Sequence, residues 1–178
     1  WFRRDLRLND NIGLYHALKD GIVQPIFIFD TMILDKLESN DARLSFIHNT
    51  LTNLNNKLKK YNSSIKSYYG DVETIWKQII HKNKINKVFW NHDYEPYAIK
   101  RDVKIINILN KKNIKAYTFK DQVIFEKLEI TKDNLKPYTV FTPYKKKWLQ
   151  TYSENQILKI KKHFPNFNKS YNIIKSLK

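Results

Sequence analysis

Cysteine is absent from this chain of 178 residues. Without thiols the chain can form no disulfide framework, and cysteine can supply neither a metal ligand nor a nucleophile. The chain also opens without the charged and apolar leader of a secreted protein, and no apolar run approaches the roughly 20 residues that span a bilayer. These absences predict a cytoplasmic protein that has no membrane segment.

Glycine is nearly as scarce, since the whole chain has Gly 3. A loop that wraps a phosphate needs several glycines so that backbone N–H groups can approach the ligand. The composition therefore argues against nucleotide hydrolysis. The histidines are scattered, and no two share the spacing of a zinc site. We predict no metal site and no catalytic residue from these patterns.

Acidic residues are few compared with basic ones, which gives a formal net charge of +16. Such a field attracts polyanions, and nucleic acid is its usual partner. The bias of an AT-rich genome toward Lys, Asn and Ile would give the same charge without function, and both explanations stay open. Arginine is rare, and its planar fork suits positions with a geometric demand. The arginines are Arg3, Arg4, Arg7, Arg43 and Arg101.

Short apolar runs alternate with longer stretches that have helical spacing. The segment from Gly21 to Asp30 is a continuous apolar run, typical of a strand buried on both faces of a parallel sheet. Further strands are predicted at residues 64–69, 87–90 and 114–119, and helices at residues 11–19, 41–61, 72–83, 96–112 and 144–152. This βα alternation predicts an α/β fold. Because the chain opens at Trp1 and Phe2, we expect the sequence to start inside a first strand.

Two predicted helices carry apolar stripes at spacings of three and four, which predicts the faces that they bury. The stripe of the second helix comprises Leu44, Ile47, Leu51, Leu54 and Leu58. The stripe of the fourth helix comprises Ile99, Val103, Ile106 and Leu109.

Candidate site residues follow the predicted strands. In an open parallel sheet, ligands bind beyond the carboxyl ends of the strands, which selects the loops there. We expect charged residues of these loops to converge with Phe29 and Trp90 into a pocket for a flat ring. These charged residues are Arg3, Arg4, Asp5, Asp30, Asp93 and Glu95. The alternative is structural, since loop carboxylates also cap helices or pair with arginine, and Arg101 with Asp102 would form a helix ion pair.

Three segments resemble the DNA photolyase and cryptochrome family. The opening WFRRDLRLNDNIGLYHAL resembles the family pattern WFR-x-DLR-x-x-DN, which is highly specific. FWNHDYEPYAIKRD, from Phe89 to Asp102, is similar to the family's segment after the fourth strand. YTVFTPYKKKWL, from Tyr138 to Leu149, resembles its VFTPF-x-x-x-W stretch.

The resemblance implies a Rossmann-like, doubly wound sheet of about five parallel strands flanked by helices. It assigns residues 1–125 to the α/β core and residues 126–178 to a segment that leads toward a helical FAD-binding domain. In a deoxyribodipyrimidine photolyase that helical domain repairs pyrimidine dimers in DNA, so this chain alone is not expected to be catalytic. A cryptochrome photoreceptor fragment is the alternative, and an independent nucleotide-binding α/β protein is a third reading that leaves the linker segment unexplained.

The resemblance also implies an antenna pigment, which absorbs light and passes the excitation to the catalytic flavin. Folate-binding members share a Tyr-Glu-x-Asn-Glu stretch, and Tyr97 and Ala98 replace its last polar positions here. FMN or 8-hydroxy-5-deazaflavin is therefore expected in preference to methenyltetrahydrofolate. The pigment-binding residues implied are Arg4, Phe29, Asp30, Arg43, Asp93 and Glu95.

Overall fold

A computed structural model describes residues 1–38 and 40–154 of the chain. Helices and strands alternate along it as the sequence predicts, and an additional short helix, α2, follows the first strand. The elements are α1 (Ile12–Asp20), β1 (Ile26–Asp30), α2 (Thr31–Leu34), α3 (Ala42–Lys59), β2 (Lys66–Gly70), α4 (Val72–Lys82), β3 (Lys87–Asn91), α5 (Pro96–Asn110), β4 (Lys115–Phe119) and α6 (Phe141–Glu154).

Short polar side chains and a proline begin several helices. Asn11 caps α1 by accepting a hydrogen bond from the backbone N–H of Leu14 at 2.9 Å. Asp71 caps α4 in the same way through Thr74, and Pro96 occupies the first turn of α5, where a missing N–H costs nothing. Asp30 caps α2, a role that the sequence pattern did not predict.

The strands form two parallel pairs, which confirms an α/β fold. β1 pairs with β2 from Ile26 opposite Lys66 to Asp30 opposite Gly70. β3 pairs with β4 from Lys87 opposite Lys115 to Asn91 opposite Phe119. Within the described residues the pairing gives two separate two-stranded sheets, so a single sheet of about five strands stays a prediction.

The first residues of the chain lie between the two sheets. Phe2 forms an isolated parallel bridge with Phe27, and its N–H donates to the carbonyl oxygen of Ile26 at 2.9 Å. The amino group of Trp1 donates to the carbonyl oxygen of Phe89 at 2.8 Å on the other side. Trp1 and Phe2 therefore occupy the place of a central strand, as the opening of the sequence suggested.

Two apolar clusters pack on opposite faces of β1. Phe27 joins Phe2, Leu14 and the α3 leucines on one face, whereas Ile26 and Ile28 join α4 and α5 on the other. The predicted α3 stripe is confirmed for Leu51, Leu54 and Leu58, which are buried, while Ile47 packs against them partly exposed.

The predicted stripe of α5 is partly wrong. Leu109 is buried as expected, and Ile106 packs against the cluster partly buried, but Ile99 is 49% and Val103 is 53% exposed. The buried residues of α5 are Ala98, Arg101, Ile105 and Leu109. Apolar spacing alone did not distinguish between two faces of α5. The buried face includes Arg101, because carboxylates lie within reach of its guanidinium.

Beyond residue 125 the chain has little regular structure until α6, which extends the helix predicted at residues 144–152. The rest of the predicted connecting segment, from residue 155 onward, lies outside the described residues. No helix in the described part of the chain is long and apolar enough to cross a bilayer.

Candidate functional site

The carboxyl ends of β1 and β3 carry the charged residues that the sequence singled out. Asp30 is the last residue of β1, and Asp93 and Glu95 lie in the loop that joins β3 to α5. Arg4 lies in the loop that follows the Trp1–Phe2 segment. Because parallel strands end at the same edge of a sheet, these loops converge there.

Arg4 joins two of the predicted carboxylates. Its Nη1 atom forms an ion pair with Glu95 and lies 3.8 Å from the Oδ1 atom of Asp93. The side chains of Arg4 and Glu95 are 59% and 65% exposed, whereas that of Asp93 is 9% exposed. The exposed pair is worth little to stability, so its charges are available to a ligand.

Asp30 is held inside the fold. It is 5% exposed, and it accepts hydrogen bonds from the backbone N–H of Met32 at 3.0 Å and from the hydroxyl of Tyr97 at 2.7 Å. Arg101 lies 3.9 Å away. Burial raises the pKa of Tyr97, and the bond to Asp30 raises it further, so the phenol remains a donor at neutral pH. Asp30 therefore links β1 to α5, and Tyr97 presents its ring edge beside the loops.

The structure separates the other predicted residues from this cluster. Phe29 is half-buried and packs edge-on against Phe27, with ring centroids 4.9 Å apart. Arg43 is exposed at the start of α3, and in the described part of the chain its side-chain bonds go to Asp41. Trp90, expected to stack on a ring, is 2% exposed and belongs to the core, because a β3 residue of that register faces α4.

A buried charge network lies beneath the loops. Arg3 donates from Nη1 to both carboxylate oxygens of Asp102 at 2.6 Å, and Arg101 donates to Asp102 at 3.1 and 3.2 Å. Trp90 donates its indole N–H to the same carboxylate at 3.1 Å. Arg101 and Asp102 therefore form the helix ion pair that the sequence suggested, but the pair is buried and belongs to a larger network. Burial lowers the pKa of Arg3, and the charge of Asp102 opposes that shift.

Both guanidinium groups of this network also contact Trp1. The Cζ atoms of Arg3 and Arg101 lie 4.9 and 5.0 Å from the centre of the indole ring, within the range of cation–π attraction. The few arginines were predicted to occupy positions with a geometric demand. For Arg3 and Arg101 that demand is structural, because both contact Trp1 and Asp102.

Asn91 is a central residue that the sequence analysis did not single out. Its Oδ1 atom accepts from the N–H of Gly13 at 2.8 Å, and its Nδ2 atom donates to Asp5 at 2.6 Å and to Asn11 at 2.9 Å. A Cβ atom on Gly13 would lie 2.9 Å from Asn91 Oδ1, so the close approach requires glycine. Asp5 thus braces the first loop, which was the structural alternative for this residue.

Glu126 is a second residue that sequence reasoning missed. Its carboxylate accepts the hydroxyl of Tyr94 and contacts Nδ1 of His92 at 2.8 Å. His92 and Tyr94 are the chain neighbours of Asp93. The Glu126 carboxylate therefore holds the backbone on both sides of Asp93. Burial raises the pKa of Glu126, but hydrogen bonds from Tyr94 and His92 outweigh burial and lower it overall. Glu126 lies in a segment without helix or strand, so no apolar periodicity in the sequence indicated its position.

The space at this edge is open rather than enclosed. A cavity of about 10 Å³ lies among Arg3, Arg4, Asp5, Asp93 and Asp121, which is room for about one water molecule. Met32 and Ile33, on α2 after β1, are 52% and 44% exposed. A flat ring would therefore have to lie on the open face, with the Arg4 pair at its edge. The charged residues suit such a ring, and the cavity that the described residues form here is too small to enclose one.

Sequence comparison finds relatives of the chain among photolyases and cryptochromes. The sequence model described as DNA photolyase matches residues 1–166. The chain is 31% identical over 149 residues to the deoxyribodipyrimidine photo-lyase of Synechococcus sp., covering 83% of this chain and 31% of that protein. It is 29% identical over 160 residues to cryptochrome-2 of Arabidopsis thaliana, covering 89% and 26%. The chain thus spans about a third or less of the length of these two relatives.

Two solved structures have a similar fold. The archaeal photolyase from Sulfolobus tokodaii, solved with two FAD molecules, aligns with a TM-score of 0.65 and 30% identity over 91% of this chain and 34% of its own. The class III photolyase from Agrobacterium tumefaciens aligns with a TM-score of 0.77 and 24% identity over 99% and 35%. The second likeness concerns the fold alone.

Proposed function

Because the chain belongs to the DNA photolyase family, we propose that it is the α/β domain that holds the antenna pigment of a light-driven DNA repair enzyme. The pigment is of the flavin class, FMN or 8-hydroxy-5-deazaflavin, in preference to methenyltetrahydrofolate. When bound, it supplies absorption of light and transfer of the excitation to a second flavin. The observation that carries the proposal is the convergence of Arg4, Asp93 and Glu95 at the carboxyl end of β3.

The chemistry of the cluster suits the edge of a flavin or deazaflavin ring, which carries both hydrogen-bond donors and acceptors. Arg4 would donate to ring carbonyl oxygens, and Asp93 and Glu95 would accept from ring N–H groups. Asp30 would act by orienting the hydroxyl of Tyr97. Phe29 and Arg43 lie apart from this cluster, and we propose them as contacts of a pigment that extends beyond it. The second FAD of the Sulfolobus tokodaii photolyase, discussed there as a novel light-harvesting cofactor, supports a flavin.

The proposed function of the complete protein involves a further domain and a DNA substrate. We infer that residues 1–125 form the core of a Rossmann-like, doubly wound domain of about five parallel strands, and that residues 126–178 lead to a helical FAD-binding domain in cis. DNA with pyrimidine dimers is the proposed substrate of the complete enzyme, and this part of it would not be catalytic. Likeness to cryptochrome-2 keeps a photoreceptor as the second candidate. Repair of a dimer-containing oligonucleotide under light, by the full protein, would distinguish the two.

Pigment binding by the chain itself tests the proposal. The purified chain is incubated separately with FMN, 8-hydroxy-5-deazaflavin and methenyltetrahydrofolate, then desalted, and its absorbance spectrum is recorded. A retained flavin or deazaflavin band is the expected result. A retained folate band alone would contradict the interpretation of Tyr97 and Ala98, and a chain that retains no pigment would contradict the antenna function.

A further inference from the structure

Four helix-to-strand connections lie on the side of the fold opposite the candidate site. α1 leads to β1, α3 to β2, α4 to β3 and α5 to β4, each through a short connection. These connections reach the amino ends of the strands, whereas Arg4, Asp93 and Glu95 lie at the carboxyl ends.

Contacts between the connections join them into one surface. Lys87, the first residue of β3, forms an ion pair with Asp20 at the end of α1. Lys87 also stands opposite Lys115, the first residue of β4. The N–H of Lys66, at the start of β2, donates to the carbonyl oxygen of Pro25 at 2.9 Å. All four connections therefore face the same side of the molecule.

Lysine dominates this surface. It comprises residues 19–25, 57–66, 82–87 and 110–115, which we call the lysine edge. Asp20 is the only acidic residue in these ranges, and the edge accounts for more than half of the net charge of +16. Its lysines are Lys19, Lys57, Lys59, Lys60, Lys66, Lys82, Lys84, Lys87, Lys111, Lys112 and Lys115. All but Lys66 and Lys87 are exposed, and those two are partly exposed.

The position of the acidic residues distinguishes this surface from a general excess of lysine. A compositional bias toward lysine acts on every surface alike, so it does not remove acidic residues from one edge. Carboxylates follow the carboxyl ends of the strands at Asp30, Asp71, Asp93 and Glu95. The two edges of the sheet therefore differ in charge, and this difference favours a function for the basic edge.

Helix dipoles explain only part of the charge. The carboxyl end of a helix carries about half a negative charge, which favours a cation within the last turn. Lys19, Lys59 and Lys82 occupy such last turns. Lys84 and Lys115 lie beyond the helices, where the dipole no longer acts. The lysine edge thus carries more positive charge than the helix ends require.

The edge is short of counter-charges. Like charges directly opposite each other on neighbouring strands are destabilising, and Lys87 and Lys115 have this arrangement. Among the described residues, the pair of Lys87 with Asp20 is the one ion pair that the edge contains. A polyanion would supply the missing negative charge, and the phosphate backbone of nucleic acid offers it at regular spacing.

The other exposed side chains of the edge favour nucleic acid over a membrane. A protein that lies on a membrane inserts apolar side chains among the lipids. Ile22, at 68%, is the only exposed large apolar side chain in these ranges. Asn62, Asn86 and Asn113 are exposed beside the lysines, and asparagine donates hydrogen bonds to phosphate oxygens.

We propose that the lysine edge binds the phosphate backbone of duplex DNA without reading its sequence. This contact lies on the side of the domain opposite the candidate pigment site. It is separate from the recognition of a pyrimidine dimer, which the proposed function gives to the complete enzyme.

Two variants that lose the same charge test this proposal. The edge variant replaces exposed lysines of the edge by glutamine: Lys59→Gln, Lys84→Gln, Lys112→Gln and Lys115→Gln. The control variant replaces exposed lysines elsewhere: Lys36→Gln, Lys100→Gln, Lys145→Gln and Lys146→Gln. Urea denaturation checks that both variants fold. If the edge variant does not fold, a second one takes its place: Lys57→Gln, Lys82→Gln and Lys111→Gln.

Binding of the full chain to an undamaged duplex of about 20 base pairs is measured in the dark by fluorescence anisotropy, between about 50 and 200 mM salt. Each lost phosphate contact lowers the slope of log K against log salt concentration by about 0.9. We expect the edge variant to reduce the slope by about 2 to 4 and to weaken binding at least about tenfold at about 50 mM salt. The control should reduce the slope by less than about 1.

Equal losses in the two variants would overturn the proposal, because binding would then follow net charge alone. Failure of the unmodified chain to bind the duplex would also overturn it. So would an edge variant that keeps its affinity for the duplex but no longer binds vesicles of phosphatidylserine and phosphatidylcholine. The duplex has no dimer and no pigment is added, so these outcomes are independent of the proposed antenna and repair functions.

Discussion

Tyr97 donates its phenolic hydrogen to the Oδ2 atom of Asp30 across 2.7 Å, which ties the first turn of α5 to the carboxyl end of β1. Asp30 belongs to the β1–β2 sheet, and α5 follows directly from β3 of the other sheet. One hydrogen bond thus couples the two halves of the fold at the edge where the candidate site lies. The same tyrosine stands at a polar position of the folate-binding pattern, and its hydroxyl is bound to Asp30.

Tyr97→Phe should therefore destabilise the fold. The change leaves the buried Asp30 with the backbone N–H of Met32 as its remaining close donor, since Arg101 is 3.9 Å away. We expect the free energy of unfolding to fall by about 1 to 3 kcal/mol, measured by urea denaturation. Tyr69→Phe is the matched control, because Tyr69 is 68% exposed and should change by less than about 0.5 kcal/mol. Equal effects of the two substitutions would contradict the coupling.

Asp102→Asn should lower the free energy of unfolding more than Tyr97→Phe does. Asp102 accepts from Arg3, Arg101 and Trp90, and the neutral amide would leave two buried guanidinium groups without their shared counter-charge. We expect a loss of about 3 to 5 kcal/mol in the free energy of unfolding. In the control, Lys104→Gln breaks an exposed ion pair with Glu73 and should cost less than about 1 kcal/mol. A mild effect of Asp102→Asn would show that solvent reaches the two arginines.

Glu126→Gln should loosen the loop around Asp93. The pKa of Glu126 is lowered in the fold, so its contribution to stability is present above the ordinary pKa of a glutamate and is lost as pH falls below it. We expect the variant to lose about 1 to 2 kcal/mol at pH 7 and to show a weaker pH dependence on the acidic side. Asp133→Asn, at an exposed carboxylate, is the control. Identical acid unfolding curves for Glu126→Gln and the unmodified chain would contradict the prediction.

Arg4→Met should separate pigment binding from stability. The ion pair with Glu95 is exposed, so the free energy of unfolding should change by less than about 1 kcal/mol. If Arg4 binds the ring edge, the dissociation constant for the retained flavin or deazaflavin should rise at least about tenfold, measured by fluorescence titration. Lys19→Met, on α1, supplies a control with the same change of charge. Equal dissociation constants for both variants would remove Arg4 from the site.

Local patterns predicted the order of the elements well. Apolar runs and helical spacings depend on neighbouring residues alone, and β1 lies within the run Gly21–Asp30, while α3 and α5 lie within the helices predicted at residues 41–61 and 96–112. The candidate site was predicted in part, because the rule that loops converge at the carboxyl edge brought Arg4 to Asp93 and Glu95. It failed for Trp90, since the position of a residue in a loop or strand does not reveal which face its side chain turns to.

The sequence by itself determined the family, the βα alternation and the loops that carry charge, because motifs, apolar periodicity and capping are encoded in short stretches of chain. Only the tertiary structure decided which charges are buried. Arg3 lies far along the chain from Arg101 and Asp102, and the sequence pattern of α5 did not show that Arg101 is buried. The three residues become one network only when α5 packs beside Trp1.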